Sequence, residues 1–181
     1  MGRLARRRHQ HAGILSPVRL LSSDNVSIEL SIARYEFPDL QGHGDRDWDA
    51  NWLQISGAVV LADGKTWSFE DPSLTTWEAA KLGQWLREVA DGSLKPLPFG
   101  TGEADELLWF TEPNLAFGLE ERIADQVLLR VHFSLEALPP WLSGAEQPDI
   151  FDFFVVLDVP AAQVDIAAAD WAVALGRFPQ R

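Results

Sequence analysis

Hydrophobic residues recur at strand spacing in seven stretches of this 181-residue chain and at helix spacing in two others. Alternation with a period of two residues, as in Val26, Ile28 and Leu30, is typical of a strand with one buried face. The predicted strands are 26–32, 48–61, 65–70, 107–111, 115–119, 127–135 and 150–159. Helices are predicted over 75–92 and 160–178. The order βββαββββα predicts an α+β fold, in which a twisted, mainly antiparallel sheet of about seven strands packs both helices on one face.

Local signals define the ends of two of these elements. Thr75 followed by Glu78 forms a capping box, and Gly92 offers the left-handed conformation in which many helices end. Asp63 and Gly64 supply the positive backbone angles of a tight turn. These signals predict one helix with both ends marked, and a hairpin that joins the second and third strands.

The same patterns predict which faces of the strands are buried. Alternation in the first and sixth strands indicates a polar sheet face that is open to solvent or to a partner. The last strand is apolar on both faces, which predicts a central position in the sheet. Most of the eight Trp residues fall at apolar positions and are assigned to the core, with Trp141 as the candidate for exposure. The side chains assigned to the open face are Glu29, Ser31, Arg130, His132 and Ser134.

Charge is distributed unevenly along the chain. The first 19 residues contain five Arg and no acid, so the rest carries 10 Lys and Arg against 27 Asp and Glu, a formal balance of −17. We predict residues 1–23 to be a basic, disordered arm and residues 24–181 to be a single acidic domain. Such an excess of negative charge attracts cationic partners over a long range and argues against direct binding to nucleic acid.

Composition bears on the redox chemistry and location of the protein. The chain contains no Cys, so neither disulfides nor thiolate chemistry can contribute. No apolar run approaches the roughly 18 residues of a membrane span. The Arg-rich start is followed by His9, Gln10 and His11, where a signal peptide needs its apolar stretch. We therefore expect a cytoplasmic protein that is not bound to a membrane.

Acidic and aromatic residues alternate in the segment DRDWDAN at 45–51. Its acidic positions have the spacing with which calcium-binding loops begin, but the Gly and Glu that such loops require further on are absent. We predict no metal site, and instead an extended segment in which Trp48 and Trp52 pack inward while the polar side chains point outward. The same segment also suits a negative, aromatic-rimmed patch for Arg or Lys of another protein. Its polar side chains are Asp45, Asp47, Asp49 and Asn51.

No catalytic motif is recognisable in the sequence. His132 stands alone on its strand, without the nucleophile motif that accompanies many hydrolytic triads. Glu112 with Glu120 or Glu121 resembles a glycosidase pair only because acids are abundant here. The glycines around Thr101 lack the Lys and the following helix of a phosphate-binding loop. We expect a protein that is not an enzyme and that needs no cofactor.

Five phrases of the sequence carry a family resemblance. They are DWDANWL at 47–53, DPSLTTWEAAKLGQWL at 71–86, FTEPNLAF at 110–117, LRVHFSLEALPPWL at 129–142 and WAVALGRFP at 171–179. In this order and spacing they resemble the WapI-type immunity proteins of bacterial polymorphic toxin systems. The resemblance spans nearly everything after Ser23, whereas the arm before Leu20 departs from the pattern.

The resemblance implies a small antidote that binds the toxic C-terminal domain of a secreted or cell-surface effector, in the family's namesake case a nuclease acting on transfer RNA. A nuclease holds a phosphate backbone with Lys and Arg, so an acidic protein can be steered to the same groove and cover it. We therefore expect stoichiometric inhibition of a basic toxin domain. The residues predicted to contact it are Asp45, Asp47, Asp49, Glu103, Asp105 and Glu106.

Two other functions stay open. An adaptor or scaffold domain would recognise a protein other than a toxin through the open sheet face. A small hydrolase would need polar groups that converge from distant strands. The first function requires an exposed sheet face, and the second requires a pocket around residues such as His132.

Overall fold

The computed structural model describes residues 17–42, 47–102, 106–142, 144 and 147–181. Over these residues the chain forms two four-stranded antiparallel sheets and three α-helices, which confirms the predicted α+β class. The first sheet has the order β1 (Val18–Leu21), β2 (Ser27–Tyr35), β3 (Trp52–Val60), β4 (Thr66–Thr75). The second has the order β5 (Leu108–Trp109), β6 (Leu115–Ile123), β7 (Gln126–Phe133), β8 (Phe154–Pro160). The helices are α1 (Trp48–Asn51), α2 (Thr76–Asp91) and α3 (Ala161–Leu175).

The N-terminal part of the domain begins earlier than the sequence predicts. β1 pairs with β2 antiparallel, with Val18 opposite Leu30, and both Val18 and Leu20 are buried. The predicted arm over 1–23 therefore extends too far, because residues 18–21 bury their apolar side chains as an edge strand. Residues 1–16 lie outside the described residues.

Both sheets and both long helices contribute to one hydrophobic core, although the sequence predicts a single sheet. A residual cavity of about 20 Å³ marks the place where they meet. Its walls include Leu20 and Ile28 of the first sheet, Phe117 of the second, Leu82 of α2 and Trp171 of α3. Each sheet thus buries one face against the helices. This packing is expected because the apolar face of a sheet must be buried against another element.

The capping box at the start of α2 is confirmed. Thr75 Oγ1 accepts from Glu78 N at 3.4 Å, and Glu78 Oε2 accepts from Thr75 N at 2.9 Å. Gly92 ends the helix with φ 79°. Burial acts to raise the pKa of Glu78, but hydrogen bonds from Thr75 and Thr111 outweigh it and hold that pKa below its ordinary value. Since Thr111 N donates to Glu78 Oε1 at 2.8 Å, the same carboxylate ties α2 to the second sheet.

The predicted polar face of the second sheet is not open to solvent. Arg130 and His132 are 1% and 0% exposed, and Ser134 is buried as well. The segment that follows α2 folds over this face, with Leu97 N donating to Leu119 O at 2.9 Å. The prediction of an open polar face is therefore wrong for β7, while Glu29 of the first sheet stays half-buried.

β8 lies at the edge of its sheet and not at its centre, contrary to the prediction. Its outward side chains, among them Val156, are exposed, so its second apolar face is not covered by a neighbouring layer. Side chains bind the backbone at this edge and at the adjacent β1: Ser22 Oγ accepts from Asp158 N, and the Gln163 amide accepts from and donates to the backbone of Leu21. Bonds of this kind occupy edge groups that would otherwise pair with another strand.

The tryptophans are less buried than predicted. Trp67, Trp85 and Trp171 are core residues, whereas Trp52 and Trp77 are half-buried. The exposed tryptophans are Trp48, Trp109 and Trp141, of which only Trp141 was expected. Among the residues that the structure describes, no helix has the length and apolar character needed to cross a membrane.

Candidate partner-binding surface

The segment predicted to run straight into β3 instead makes one helical turn, α1. Asp47 caps this turn, since its Oδ1 accepts from Ala50 N at 3.3 Å. A helical turn does not alternate its side chains as a strand does. The predicted burial is therefore wrong for Trp48, which is 46% exposed, and for Asn51, which is fully buried, whereas Asp49 is exposed as expected.

Asn51 holds α1 to two distant parts of the chain. Its Nδ2 donates to Asp47 O at 2.7 Å and to Arg181 O at 2.8 Å. Its Oδ1 accepts from Thr76 Oγ1 and from Arg181 N, both at 2.9 Å. One buried amide thus joins α1, the start of α2 and the last residue of the chain.

Arg181 extends this connection to the segment 36–42. Its guanidinium carbon lies 3.5 Å from the centre of the Tyr35 ring. Its Nη1 donates to Pro38 O at 3.1 Å and to Leu40 O at 3.0 Å. The end of the chain therefore positions both α1 and the segment that follows β2.

Both segments contribute residues to a concave site, which we call the acidic pocket. It has a volume of about 260 Å³. Three carboxylates reach it from separate parts of the chain: one follows β2, one belongs to α1 and one precedes β6. Two aromatic rings and a proline complete its lining. The lining residues are Glu36, Phe37, Asp49, Trp52, Pro72 and Glu112.

More negative charge lies beside the acidic pocket. Burial raises the pKa of Asp71, and the carboxylates of Glu136, Glu112 and Glu36 raise it further. Asn114 Nδ2 donates to Asp71 Oδ2 at 2.9 Å, and Gln54 Nε2 donates to Glu36 Oε2. After burial, the neighbouring carboxylates thus disfavour the charged form of Asp71, and a cation beside Asp71 would offset both effects.

Three tryptophans, which we call the tryptophan cluster, lie next to the acidic pocket. The centre of the Trp48 ring is 4.9 Å from that of Trp77 in an edge-to-face arrangement and 6.4 Å from that of Trp52. Trp52 belongs to both the cluster and the pocket. Partly exposed tryptophans beside charged groups are typical of the residues that dominate protein interfaces.

A comparison with known protein families places this chain in one of them. The model of the immunity protein WapI-like family matches residues 19–179, which confirms the resemblance found in the sequence phrases. The chain belongs to the WapI-like immunity protein family. A search of curated proteins finds no match. Membership in the WapI-like family supports a role as an immunity protein, and it suggests an inhibitor that is not an enzyme.

The residues predicted to contact a partner lie in different places in this WapI-like protein. Asp47 caps α1, and Asp49 lies on α1 and lines the acidic pocket. Glu106 lies elsewhere and binds its own loop, since its Oε2 accepts from Gly100 N at 3.0 Å. The remaining predicted contacts, Asp45, Glu103 and Asp105, lie outside the described residues.

Sequence reasoning missed three carboxylates at this surface: Glu36, Asp71 and Glu136. The sequence suggests Glu112 only as half of a glycosidase pair. Asp71, Glu112 and Glu136 lie in the phrases that carry the family resemblance, but those phrases do not mark them as site residues. The four carboxylates are far apart in sequence: Glu36 follows β2, Asp71 lies on β4, and Glu112 and Glu136 follow β5 and β7. The sequence signal for this surface was the predicted acidic and aromatic patch at DRDWDAN. Within the described parts of the chain, no three His, Asp or Glu side chains are arranged to hold a metal ion.

A second polar cluster lies under the loop that covers β7. Arg130 Nε is 2.6 Å from Glu120 Oε2, and the guanidinium carbon is 4.7 Å from the centre of the Phe99 ring. Arg130 lies across Gly118, where a Cβ atom would approach its Nη2 to 2.8 Å. His132 Nδ1 donates to Phe151 O at 2.6 Å. Both side chains are fully buried, so a hydrolase substrate would reach them only if the covering segment moved.

His132 makes the stability of the protein dependent on pH. Burial lowers its pKa below the ordinary value of 6.5, and the hydrogen bond to the Phe151 carbonyl opposes this effect only in part. Arg130 lowers the pKa further, while Glu106 and Glu120 raise it more weakly. Its Nε2 has no hydrogen-bond partner among the described residues, so a proton there would be unpaired. The folded state therefore binds this proton less readily than the unfolded state does.

We expect the free energy of unfolding to fall as the pH drops through 6.5, by up to about 1.4 kcal/mol per pH unit. Above pH 6.5 His132 is neutral in both states, and its contribution is constant. Urea denaturation at pH 7.5, 6.5 and 5.5 measures the slope. The variant His132→Asn, which keeps a donor for Phe151 O, should lose most of the slope. An unchanged slope in this variant would assign the pH dependence to other groups.

Proposed function

We propose that this protein neutralises a cognate toxin by covering its basic, phosphate-binding surface with the acidic pocket and the tryptophan cluster. The partner is the basic toxin domain of a polymorphic effector protein, and a nuclease is the enzyme class that such a surface fits. Inhibition is stoichiometric, and the immunity protein binds no nucleic acid itself. The protein acts in the cytoplasm, where such a toxin would otherwise reach its substrate.

The convergence of carboxylates at one aromatic-lined site is the observation that supports this proposal most. Outside the first 19 residues the chain has a formal balance of −17, which favours fast association with a cation-rich surface. Long-range charge alone does not select one face. The acidic pocket adds a concave shape, and the tryptophan cluster adds exposed aromatic area, which together provide the centre of an interface.

The contact residues follow from this geometry. Asp47 and Asp49 remain in the proposal, with Asp49 at its centre, and Glu36 and Glu112 join them. Asp45, Glu103, Asp105 and Glu106 stay predicted contacts. An adaptor function through the open sheet face has less support, because Arg130 and His132 are buried on that face.

The proposal is tested with the C-terminal domain of the effector encoded beside this gene. We expect the purified domain to form a one-to-one complex and to lose its toxicity on co-expression. The triple variant Glu36→Gln, Asp49→Asn, Glu112→Gln should weaken binding by about 100-fold, since it removes charges that face cations at the interface. Isothermal titration calorimetry at low and high salt measures both affinity and its salt dependence.

A matched control has the same change in net charge. Asp152, Asp165 and Asp170 are exposed and lie on the segment before β8 and on α3, away from the acidic pocket. Their triple replacement with Asn should change the affinity by about threefold or less, because only long-range attraction is reduced. Equal losses in both variants would contradict binding through the acidic pocket. The absence of any complex would contradict the immunity function.

A further inference from the structure

We propose that the segment 94–102 is a strap that opens when His132, which it covers, takes up a proton. Opening uncovers the polar face of the second sheet that carries Arg130 and His132. The inference goes beyond the proposed function: it uses none of the residues that line the acidic pocket, and it does not depend on the identity of the partner.

The strap is a thin and exposed segment. It belongs to no helix or strand, and within it only Leu94 and Leu97 are half-buried, while the other residues are exposed. It begins after Gly92 and ends at Gly102, whose φ angles of 79° and 77° are ones that other residues rarely adopt. A segment that buries little apolar surface opens at a lower free energy than the fold as a whole.

A small set of hydrogen bonds from the backbone of the strap holds it closed. Pro96 and Pro98 have no backbone N–H and contribute none. The bonds run from Leu94 N to Glu88 O (3.1 Å), from Leu97 N to Leu119 O (2.9 Å), from Phe99 N to Glu120 Oε2 (3.3 Å) and from Gly100 N to Glu106 Oε2 (3.0 Å). Two of these acceptors are side-chain carboxylates, which bind water when the strap moves away. Local opening therefore breaks few bonds.

Phe99 is the side chain through which the strap covers His132. The centres of the two rings lie 5.2 Å apart, and the guanidinium carbon of Arg130 lies 4.7 Å from the centre of the Phe99 ring. His132 and Arg130 are fully buried, whereas Phe99 is 39% exposed. On this side a single layer of the chain lies between His132 and solvent, so displacement of the strap admits water to the ring.

A proton added to His132 finds no acceptor among the described residues while the strap is closed. Nδ1 carries a hydrogen in its bond to Phe151 O, because a carbonyl only accepts, so the added proton goes to Nε2. Nε2 is buried and has no hydrogen-bond partner in the described parts of the chain. Arg130, two residues away on the same face of β7, is already a cation. Water that reaches Nε2 in the open form removes this penalty.

The charged groups that face His132 act in both directions, and burial outweighs them. Burial lowers its pKa most, and the hydrogen bond to the Phe151 carbonyl opposes this effect in part. Arg130 lowers the pKa further, while Glu106 before β6 and Glu120 on β6 raise it more weakly. The strap and β8 present aromatic rings to the imidazole. Because burial is the largest cause, uncovering the ring returns its pKa towards the ordinary value of 6.5.

The open form therefore binds a proton that the closed form excludes. Above pH 6.5 the ring is neutral in both forms, and the population of the open form is constant. Below pH 6.5 protonation favours the open form, whose population rises by up to about tenfold per pH unit. Acid thus shifts the strap from closed to open.

Hydrogen exchange of the full chain tests the inference at pH 7.5, 6.5 and 5.5. It is followed by mass spectrometry on the millisecond-to-minute timescale, and each rate is divided by that of an unfolded peptide at the same pH. We expect the protection of 94–102 to fall by up to about tenfold between pH 7.5 and 5.5, mostly below pH 6.5. Low concentrations of urea should barely change this protection, because opening exposes little surface.

The strand β3 is the internal reference, since it exchanges through unfolding of the whole domain. Its protection should be higher than that of the strap and should fall steeply with urea. Equal protection of 94–102 at the three pH values, or a urea dependence equal to that of β3, would overturn the inference in the unaltered protein alone.

Three variants identify the group that takes up the proton. His132→Asn, which keeps a donor for Phe151 O, should abolish the pH dependence of exchange in 94–102. The matched control His43→Asn replaces a histidine outside the described residues and should keep it. The double variant Glu103→Gln, Asp105→Asn, next to the strap in sequence but outside the described residues, should keep it as well. A pH dependence that survives in His132→Asn, or that disappears in either of the other variants, would belong to another group and refute the inference.

Discussion

Replacing Trp171 with Ala is expected to lower the free energy of unfolding by about 3–5 kcal/mol. The side chain is 1% exposed and lies where both sheets meet α2 and α3. Its Nε1 donates to Ala79 O at 2.7 Å, and its ring lies so close to Gly83 that a Cβ there would be 3.1 Å from Trp171 Cδ1. The variant removes this contact between the two helices and leaves a large cavity.

Trp109→Ala is the matched control, because Trp109 is 59% exposed on the two-residue strand β5. The same change of side chain should cost less than about 1 kcal/mol there. Urea denaturation followed by far-UV circular dichroism measures both, since fluorescence would change with the number of tryptophans. Losses of similar size in the two variants would contradict the position of Trp171 at the centre of the core.

Elements with strong local signals could be predicted from the sequence. The helix α2 has its capping box at Thr75 and its terminal Gly92, and the structure places both as predicted. The β3–β4 hairpin turns at Asp63 and Gly64, where Gly64 has φ 82°. Capping and turn chemistry depend on residues adjacent in sequence, so a single chain without relatives is sufficient to read them.

Two short elements could not be predicted because a second pattern concealed them. β1 has alternating Val18 and Leu20, but Arg19 made it look like the end of the basic arm. In α1 the spacing of acids suggested a strand, whereas Asp47 was the capping residue of a helical turn. A segment of four residues has too little periodicity to distinguish these alternatives.

Alternation shows that the two faces of a strand differ, but it does not show what covers them. Arg130 and His132 alternate with buried apolar residues and were therefore assigned to solvent. The segment after α2 covers them with Phe99, while Glu120 lies against Arg130 Nε and the Phe151 carbonyl accepts from His132 Nδ1. The two-residue period of a strand does not show which loop covers which face, because that depends on tertiary packing.

The candidate site had the same limit. The acids at DRDWDAN were found because they are consecutive, whereas Glu36 and Glu112 join them only in the folded chain. The sequence therefore predicts two of the six lining residues, Asp49 and Trp52, as parts of a negative and aromatic patch. The rest of its lining depends on the fold, which brings distant segments of the chain together.

Asn51 has the second largest expected effect, because it connects the core to the acidic pocket. Replacement with Ala removes four hydrogen bonds. The carbonyls of Asp47 and Arg181 lose their donor, and Thr76 Oγ1 and Arg181 N lose their acceptor. Each buried polar group left unpaired costs about 1–3 kcal/mol, and some of these groups will rebind water. We expect Asn51→Ala to lower the free energy of unfolding by about 2–3 kcal/mol.

The same variant should loosen the segments that carry Asp49 and Glu36, because Asn51 and Arg181 hold them in place. Hydrogen exchange followed by mass spectrometry should show faster exchange over 36–42 and 47–52, with little change in β7. Arg181→Ala separates the loss of stability from the loosening of the segment 36–42. It keeps the backbone bonds to Asn51 but removes the contacts with Pro38 and Leu40. It should loosen 36–42 at a cost below about 1 kcal/mol in stability. Unchanged exchange over 36–42 in both variants would show that the pocket does not depend on the end of the chain for its shape.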